Sequence, residues 1–363
     1  MSRTIEECRR AYNPAKPDVE ATAGRNRAIK IALYLAGFLG LALATVLIVH
    51  LGAAAILEAM LVIGWGLVAV TLFHLVPMFL NNLSWRAILP RESRPGPAVL
   101  LWIRWIRESI NTLLPVGQVG GDLVCARFVH LHGVPAVPAI ASLVVDLTVS
   151  VFTQLVFVAL GLALLLMRSL EPAVLTVVSA VAAGMGILVA VMATFLFVQR
   201  AGMFDIATRL SGRIGGSLLR NRDLARLSAK ATEIDAAIRA LYRDKRAFWT
   251  AMAWRLADWI AGAGEVWLVM YFLGKPVTFA EAMILESLGT GVRTAAFLVP
   301  GAIGILEASY IVFGSLFGIS AADSLALALA KRVRELLIGL PGLVAWQIAE
   351  GRRFLGRSRK APS

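Results

Sequence analysis

The chain has 363 residues, 58% hydrophobic and only 16% charged, with a formal net charge of +13 and a mean hydropathy of +0.75. That balance is too apolar for a soluble globular fold, and no stretch between apolar runs is long enough for a separate soluble domain. The basic residues lie between apolar runs, the pattern that orients membrane spans, not on a soluble nucleic-acid-binding surface, so no nucleic-acid partner is expected.

Residues 1–28 form a basic tail. The first apolar run, Ile31 to Val49, is too long for a signal-peptide core and is expected to stay attached as an anchor. Cys8 and Cys125 are the only cysteines, and neither a disulfide nor a cysteine metal site is expected. Met60 to Leu80 reads as a second crossing, with His74 its one titratable side chain. Ala98 to Arg127 follows, then Ala136 to Met167 and Pro172 to Val198. Segment 200–246 sets Leu224, Leu227, Ala231, Ile234, Ile238 and Leu241 at helical spacing among basic residues, an amphipathic helix expected to lie on the anionic inner leaflet. Phe248 to Leu273, Phe279 to Gly318 and Ala321 to Ile348 complete the apolar runs, and residues 349–363 form a second basic tail.

Lys and Arg number seven up to Lys30, five from Arg86 to Arg107, eleven from Arg200 to Arg246 and five from Arg352 to Lys360. The connections on the other side hold only Arg168 and Lys275. The basic segments and both termini are therefore expected on the cytoplasmic side of a bacterial inner membrane. Segment 98–127 must then begin and end in the cytoplasm, and 279–318 outside. The expected fold is all-α and polytopic, with about six full transmembrane helices plus two broken or re-entrant hairpins. Residues 29–348 form one membrane domain whose halves, 29–167 and 172–348, are an inverted repeat of the kind found in secondary transporters.

The first hairpin turns through Asn111, Pro115, Gly117, Gly120, Gly121 and Asp122; the second turns through Pro300, Gly301, Gly304 and Glu307. Proline removes a backbone donor and glycine weakens a helix, and such backbone is tolerated at membrane depth only under protein or water. Each hairpin sets an acid seven residues after its proline. The second hairpin has arms long enough for two ordinary kinked helices, so that form stays open beside the re-entrant one.

Charges recur inside the later spans: Arg255, Asp258 and Glu265, then Glu286, Arg293 and Glu307, then Lys331, Arg332, Arg334 and Glu335. Asp146 adds another in the first half. Each central charge costs about 2.5–3.5 kcal/mol when it is unpaired, so they cannot all face lipid. Lys331 and Glu335 are spaced to pair with each other, Asp258 and Glu265 share a helix face, and Arg255 is near enough to the cytoplasmic end to snorkel. Structural ion pairs and a hydrated substrate path are the two readings. On the second, the path takes Glu108, Asn111, Pro115, Gly117, Gly120, Gly121, Asp122, Arg127 and Asp146 from the first half. From the second half it takes Glu265, Glu286, Arg293, Pro300, Gly301, Gly304, Glu307, Lys331, Arg334 and Glu335. His50, His74, His130 and His132 read as interfacial or packing residues, and Trp65, Trp85, Trp102, Trp105, Trp249 and Trp346 as interfacial anchors.

The stretch Arg107-Glu-Ser-Ile-Asn111-Thr-Leu-Leu-Pro115 with Gly120-Gly121-Asp122, together with Val299-Pro300-Gly301-Ala-Ile-Gly304 and Glu307, resembles the flippase-like family related to the transmembrane region of lysylphosphatidylglycerol synthases. Val144-Val145-Asp146-Leu147-Thr148 and the Pro-Val-Gly-Gln-Val-Gly-Gly form resemble the subgroup associated with hopanoid biosynthesis. The resemblance covers roughly residues 30 to 350 and implies translocation of a lipid between leaflets. Many members have an arginine three residues after the acid of the first motif; here Cys125 stands there, and Arg127 is the nearest base. The full synthases carry a large soluble aminoacyl-transferring domain for which this chain leaves no room, so lipid aminoacylation is not expected.

With no paired Asp motif, Ser/His/Asp set or metal spacing, no catalytic residue, metal or cofactor is expected. The leading expectation is a lipid translocase whose partners are membrane lipids and, through them, lipid-biosynthesis enzymes. A membrane enzyme acting on lipid and a non-transporting scaffold are the rivals, and the sequence gives no oligomeric state.

Overall fold

The computed structural model describes residues 61–114, 120–168, 171–206, 221–295 and 305–358. The run Ile31 to Val49, Cys8, His50 and the hairpin residues Pro115, Gly117, Pro300, Gly301 and Gly304 lie outside them. Among the described residues the fold is helical, with no strand.

The elements in order are α1 (Gly66–Phe73), α2 (Leu75–Ile88), α3 (Pro97–Leu113), α4 (Gly120–Leu131), α5 (Ala136–Arg168) and α6 (Pro172–Ala201). They continue with α7 (Asn221–Arg243), α8 (Lys245–Phe272), α9 (Phe279–Ala295), α10 (Ile305–Ser315) and α11 (Ala321–Ser358). Among the described residues, three helices are long and apolar enough to cross a membrane by length and composition: α1 with α2 over Gly66–Ile88, α5, and α6 over Val174–Ala201. At 1.5 Å per residue, α8 and α11 rise about 42 and 57 Å, more than the roughly 30 Å hydrocarbon core. Their charges, not their length, set them apart from the first three. The chain is an all-α polytopic membrane protein.

Local chemistry explains the breaks. Pro77 has no N–H for the Phe73 carbonyl and crowds it, and α1 gives way to α2 at His74. Leu89 and Leu114, each followed by a proline, are extended and end α2 and α3, as the residue before proline favours. So α3 rises about 25 Å, short of a full core, as a re-entrant arm would. Thr278 and Glu281 exchange hydrogen bonds at the start of α9, a capping box; at α11 the Asp323 N–H donates to the Ser320 hydroxyl, which in turn donates to the Asp323 carboxylate, an N-cap.

The helices pack in a pattern that repeats when the halves are exchanged. The hairpin arm α3 packs on α11, and the corresponding arm α9 packs on α5; α2 lies beside α3 as α8 lies beside α9; α4 meets α5 as α10 meets α11. The most extensive pairing, α2 on α8, relates to itself. Along this antiparallel seam, extended through α1, Gly66 receives the Phe272 ring and Gly264 receives the Phe73 ring, with no room for a Cβ at either glycine. Gly161 abuts Ser287 between α5 and α9, and Gly342 abuts Ser109 between α11 and α3.

Three expectations are corrected. The buried face of α7, with Ala231, Ile234 and Ile238, docks on Ala141, Val145 and Val149 of α5 and on Met252 of α8; protein, not the leaflet, covers it. Trp85 and Trp346 are buried, not interfacial; the Trp85 indole donates to Ser142 at 3.2 Å. The Trp105 indole donates to the Ile338 carbonyl at 2.9 Å, tying α3 to α11. Trp65 and Trp249 are exposed, as anchors are.

Candidate functional site

Two clusters of buried charge sit where the halves meet. The larger is assembled by α9, α10 and α11 against α3, α8 and the break at His74. Lys331 ion-pairs with Glu286, which also accepts from the Tyr310 hydroxyl at 3.1 Å. Arg332 reaches back to Glu307 at 3.1 Å and to Glu335 at 3.2 Å. Glu335 takes Arg293 at 2.8 Å, so the acid seven residues after the second proline is linked to both the hairpin's first arm and the last helix. Arg334 pairs with Glu265 at 3.3 Å and lies against the His74 ring. The His74 nitrogens lie 2.5 Å from Glu265 and 2.7 Å from Glu108.

Five carboxylates thus face four permanent cations and His74, and all but Glu108 and Arg293 have side chains at most 11% exposed. Desolvation on this scale is tolerated because every charge has an opposite one in contact. A narrow cavity with room for about one water molecule lies beside His74, Glu108, Thr112, Arg334 and Glu335. Gly339 and Ser109 complete its wall. It is the place where space, charge of both signs and the first hairpin arm coincide.

The smaller cluster ties α3, α5, α8 and α2. Both Asp146 oxygens accept from Arg104, at 2.8 and 3.0 Å, and one accepts from Arg255 at 2.7 Å. Arg255 continues to Asp258 at 3.5 Å, which accepts from Asn81 at 2.9 Å. The Arg104 guanidinium also covers the Trp85 ring, 5.2 Å from its centroid, a cation–π contact. Asp146 therefore belongs to a closed brace of paired charges, and Arg255 is buried, not snorkelled to the surface.

The first hairpin is closed by Arg107 on Asp122 at 2.6 Å. The Gly121 N–H donates to the Asn111 side chain at 2.8 Å, and Gly121 lies against Arg107 and Asn111 with no space for a Cβ. Gly120 starts α4 beside it. Hence the base opposite Asp122 is Arg107. Arg127 is exposed and pairs with Glu350 at 3.1 Å, and the structure does not bring it into either cluster. Lys331 and Glu335 do not pair with each other, since Lys331 takes Glu286 and Glu335 takes Arg293 and Arg332.

The larger cluster therefore brings together Glu108, Glu265, Glu286, Arg293, Glu307, Lys331, Arg334 and Glu335. Sequence reasoning missed His74, read as an interfacial or packing residue, although a histidine three residues before a proline inside an apolar span marks a kink in a helix. It also missed Arg104 and Tyr310; Arg104 was detectable as an arginine at the middle of a short apolar arm. Among the described residues no group of three metal-ligating side chains occurs, and Cys125 is a buried free thiol.

The curated proteins and the solved structures contain no match to the chain. Residues 33–342 match the family described as lysylphosphatidylglycerol synthase TM region, a span that takes in both hairpins, the His74 break and every residue of the two clusters. The chain belongs to that family of multi-pass membrane proteins concerned with lipid handling.

Proposed function

We propose that the protein moves a polar lipid between the leaflets of a bacterial inner membrane, with both termini cytoplasmic, and that it does so without catalysing a reaction. The observation that carries this reading is the His74 cavity, where Glu108, Glu335 and Arg334 offer both signs of charge at a junction of the two halves. A headgroup with both an anion and a cation, such as that of an aminoacylated phospholipid, has a counter-charge for each end. A hopanoid is the alternative cargo, and lipid-biosynthesis enzymes that supply or consume the lipid are the expected partners. Pairing that repeats on exchange of the halves suits alternate opening to the two sides, as in inverted-repeat transporters.

Reconstitution of the full chain into vesicles with a fluorescent aminoacylated phospholipid, or a labelled hopanoid, tests the proposal. Protein-dependent leaflet exchange is expected, with loss in Glu265→Gln and Arg334→Gln. Exchange equal to that of protein-free vesicles for both lipids would overturn it. Conversion of the lipid to a new species would favour a lipid-modifying enzyme, and complementation by the triple variant Asp122→Asn, Glu307→Gln, Lys331→Gln would favour a scaffold.

A further inference from the structure

At the end of the α2–α8 seam a second pocket, sharing no residue with either charge cluster, opens between the last turn of α2, the connection to α3 and the first turns of α8. Its space is about 640 Å³ including the mouth, and its wall carries Arg86, Arg91, Arg94 and Arg246 with Thr250 and Trp254. None of these four guanidiniums forms an ion pair among the described residues, and no carboxylate lines the pocket. Arg86 and Arg94 are half-buried, and the Nε of each is shielded from solvent with no hydrogen-bond partner. Arg94 Nη2 donates to the Leu89 carbonyl at 2.6 Å, which fixes that guanidinium against the wall.

Four like charges gathered around one space repel each other, and a buried polar atom without a partner costs free energy. Burial, then the neighbouring Arg86 and Arg91, pull Arg94 below the ordinary arginine pKa, as an unneutralised cluster would. Two features supply what is missing when an anion enters: planar guanidiniums match phosphate oxygens, and Thr250 in the wall offers a hydroxyl; the α8 N-terminus is already capped by Asp244. Trp254 in the wall and exposed Trp249 nearby set this end at the height of lipid headgroups.

We propose that this pocket is a binding site for a phosphate-type anion, carried by a phospholipid headgroup or free in solution. It shares no residue with the His74 cavity, and it stands whether or not the chain moves lipid.

The test uses the purified full chain in detergent and native mass spectrometry with phosphatidylglycerol against diacylglycerol, which lacks phosphate. Phosphatidylglycerol is expected to stay bound to the wild type in preference to diacylglycerol. That preference should fall about tenfold in Arg86→Gln/Arg94→Gln, the loss expected for one or two charge-assisted contacts. Arg91→Gln/Arg246→Gln, which changes two exposed residues and spares the fold, should show a smaller loss in the same direction. Competition by inorganic phosphate would identify the free ion as a ligand, and its absence would identify the headgroup. Equal retention of both lipids without phosphate binding would overturn the site. So would an equal loss in the control Arg243→Gln/Lys245→Gln, whose exposed charges lie outside the wall.

Discussion

Replacing Asp146 by Asn keeps the shape of the side chain and removes the charge that holds Arg104 and Arg255. Asp146 is fully buried and both arginines are 2% exposed, so water cannot take over as partner. Arg104 already leaves Nε and Nη1 without partners, and the remaining acid, Asp258, lies 3.5 Å from Arg255 alone. Breaking a buried pair costs about 3–5 kcal/mol because a charge is left uncompensated, and here two cations lose one anion, which argues for the upper end. An exposed pair such as Lys275 with Asp323 at 3.9 Å is worth about 0–1 kcal/mol, so Lys275→Gln is the internal control. Thermal unfolding in detergent, followed by tryptophan fluorescence, should show Asp146→Asn melting several degrees below the wild type and Lys275→Gln beside it. The double variant Asp146→Asn/Arg255→Gln, which removes one stranded cation, should regain part of the loss. An Asp146→Asn protein that melts with the wild type, or a double variant less stable than the single, would refute the brace.

Three further outcomes follow from the geometry. Reversing either Arg107→Asp or Asp122→Arg alone should abolish lipid exchange in vesicles, and the charge-swapped double should restore part of it, because the pair closes the hairpin by complementary charge. Gly161→Leu and Gly342→Leu should each destabilise by about 1–3 kcal/mol through overpacking against Ser287 and Ser109, read as a lower melting temperature, with Gly184→Leu, which has open space, unaffected. Asn111→Ala removes the acceptor for the Gly121 N–H, worth about 1 kcal/mol by analogy with helix caps, and should speed amide hydrogen exchange in the first turn of α4.

Much of the fold was legible because the relevant signals are local. Pro115 sets the end of the first hairpin's leading arm through the residue before it, Leu114, whatever else surrounds it. The acids Glu265, Glu286, Glu307 and Glu335 were recognisable as interior because lipid cannot hold them. Their partners were not, since a partner is fixed by tertiary packing: Lys331 has Glu335 one turn away on its own helix and instead takes Glu286 on α9. His74 shows the same limit, because a titratable ring near the end of an apolar run reads as interfacial until α8 and α11 are placed around it. Arg127 misled for the opposite reason: closeness to Asp122 in sequence turned it onto the outer face of α4, while Arg107 met the acid from across the hairpin.

Every ion in the larger cluster already holds a counter-ion, and this shapes how a guest could be admitted to the cavity. A headgroup arriving there finds no vacancy of charge and must exchange places with a side chain, lending its own cation to Glu108 while its anion draws off Arg334. A lipid with one charge could satisfy one of these and would strand the other. Admission of this kind selects by reciprocity, not by depth of binding, and a guest that enters by exchange can leave the same way when the displaced side chains return.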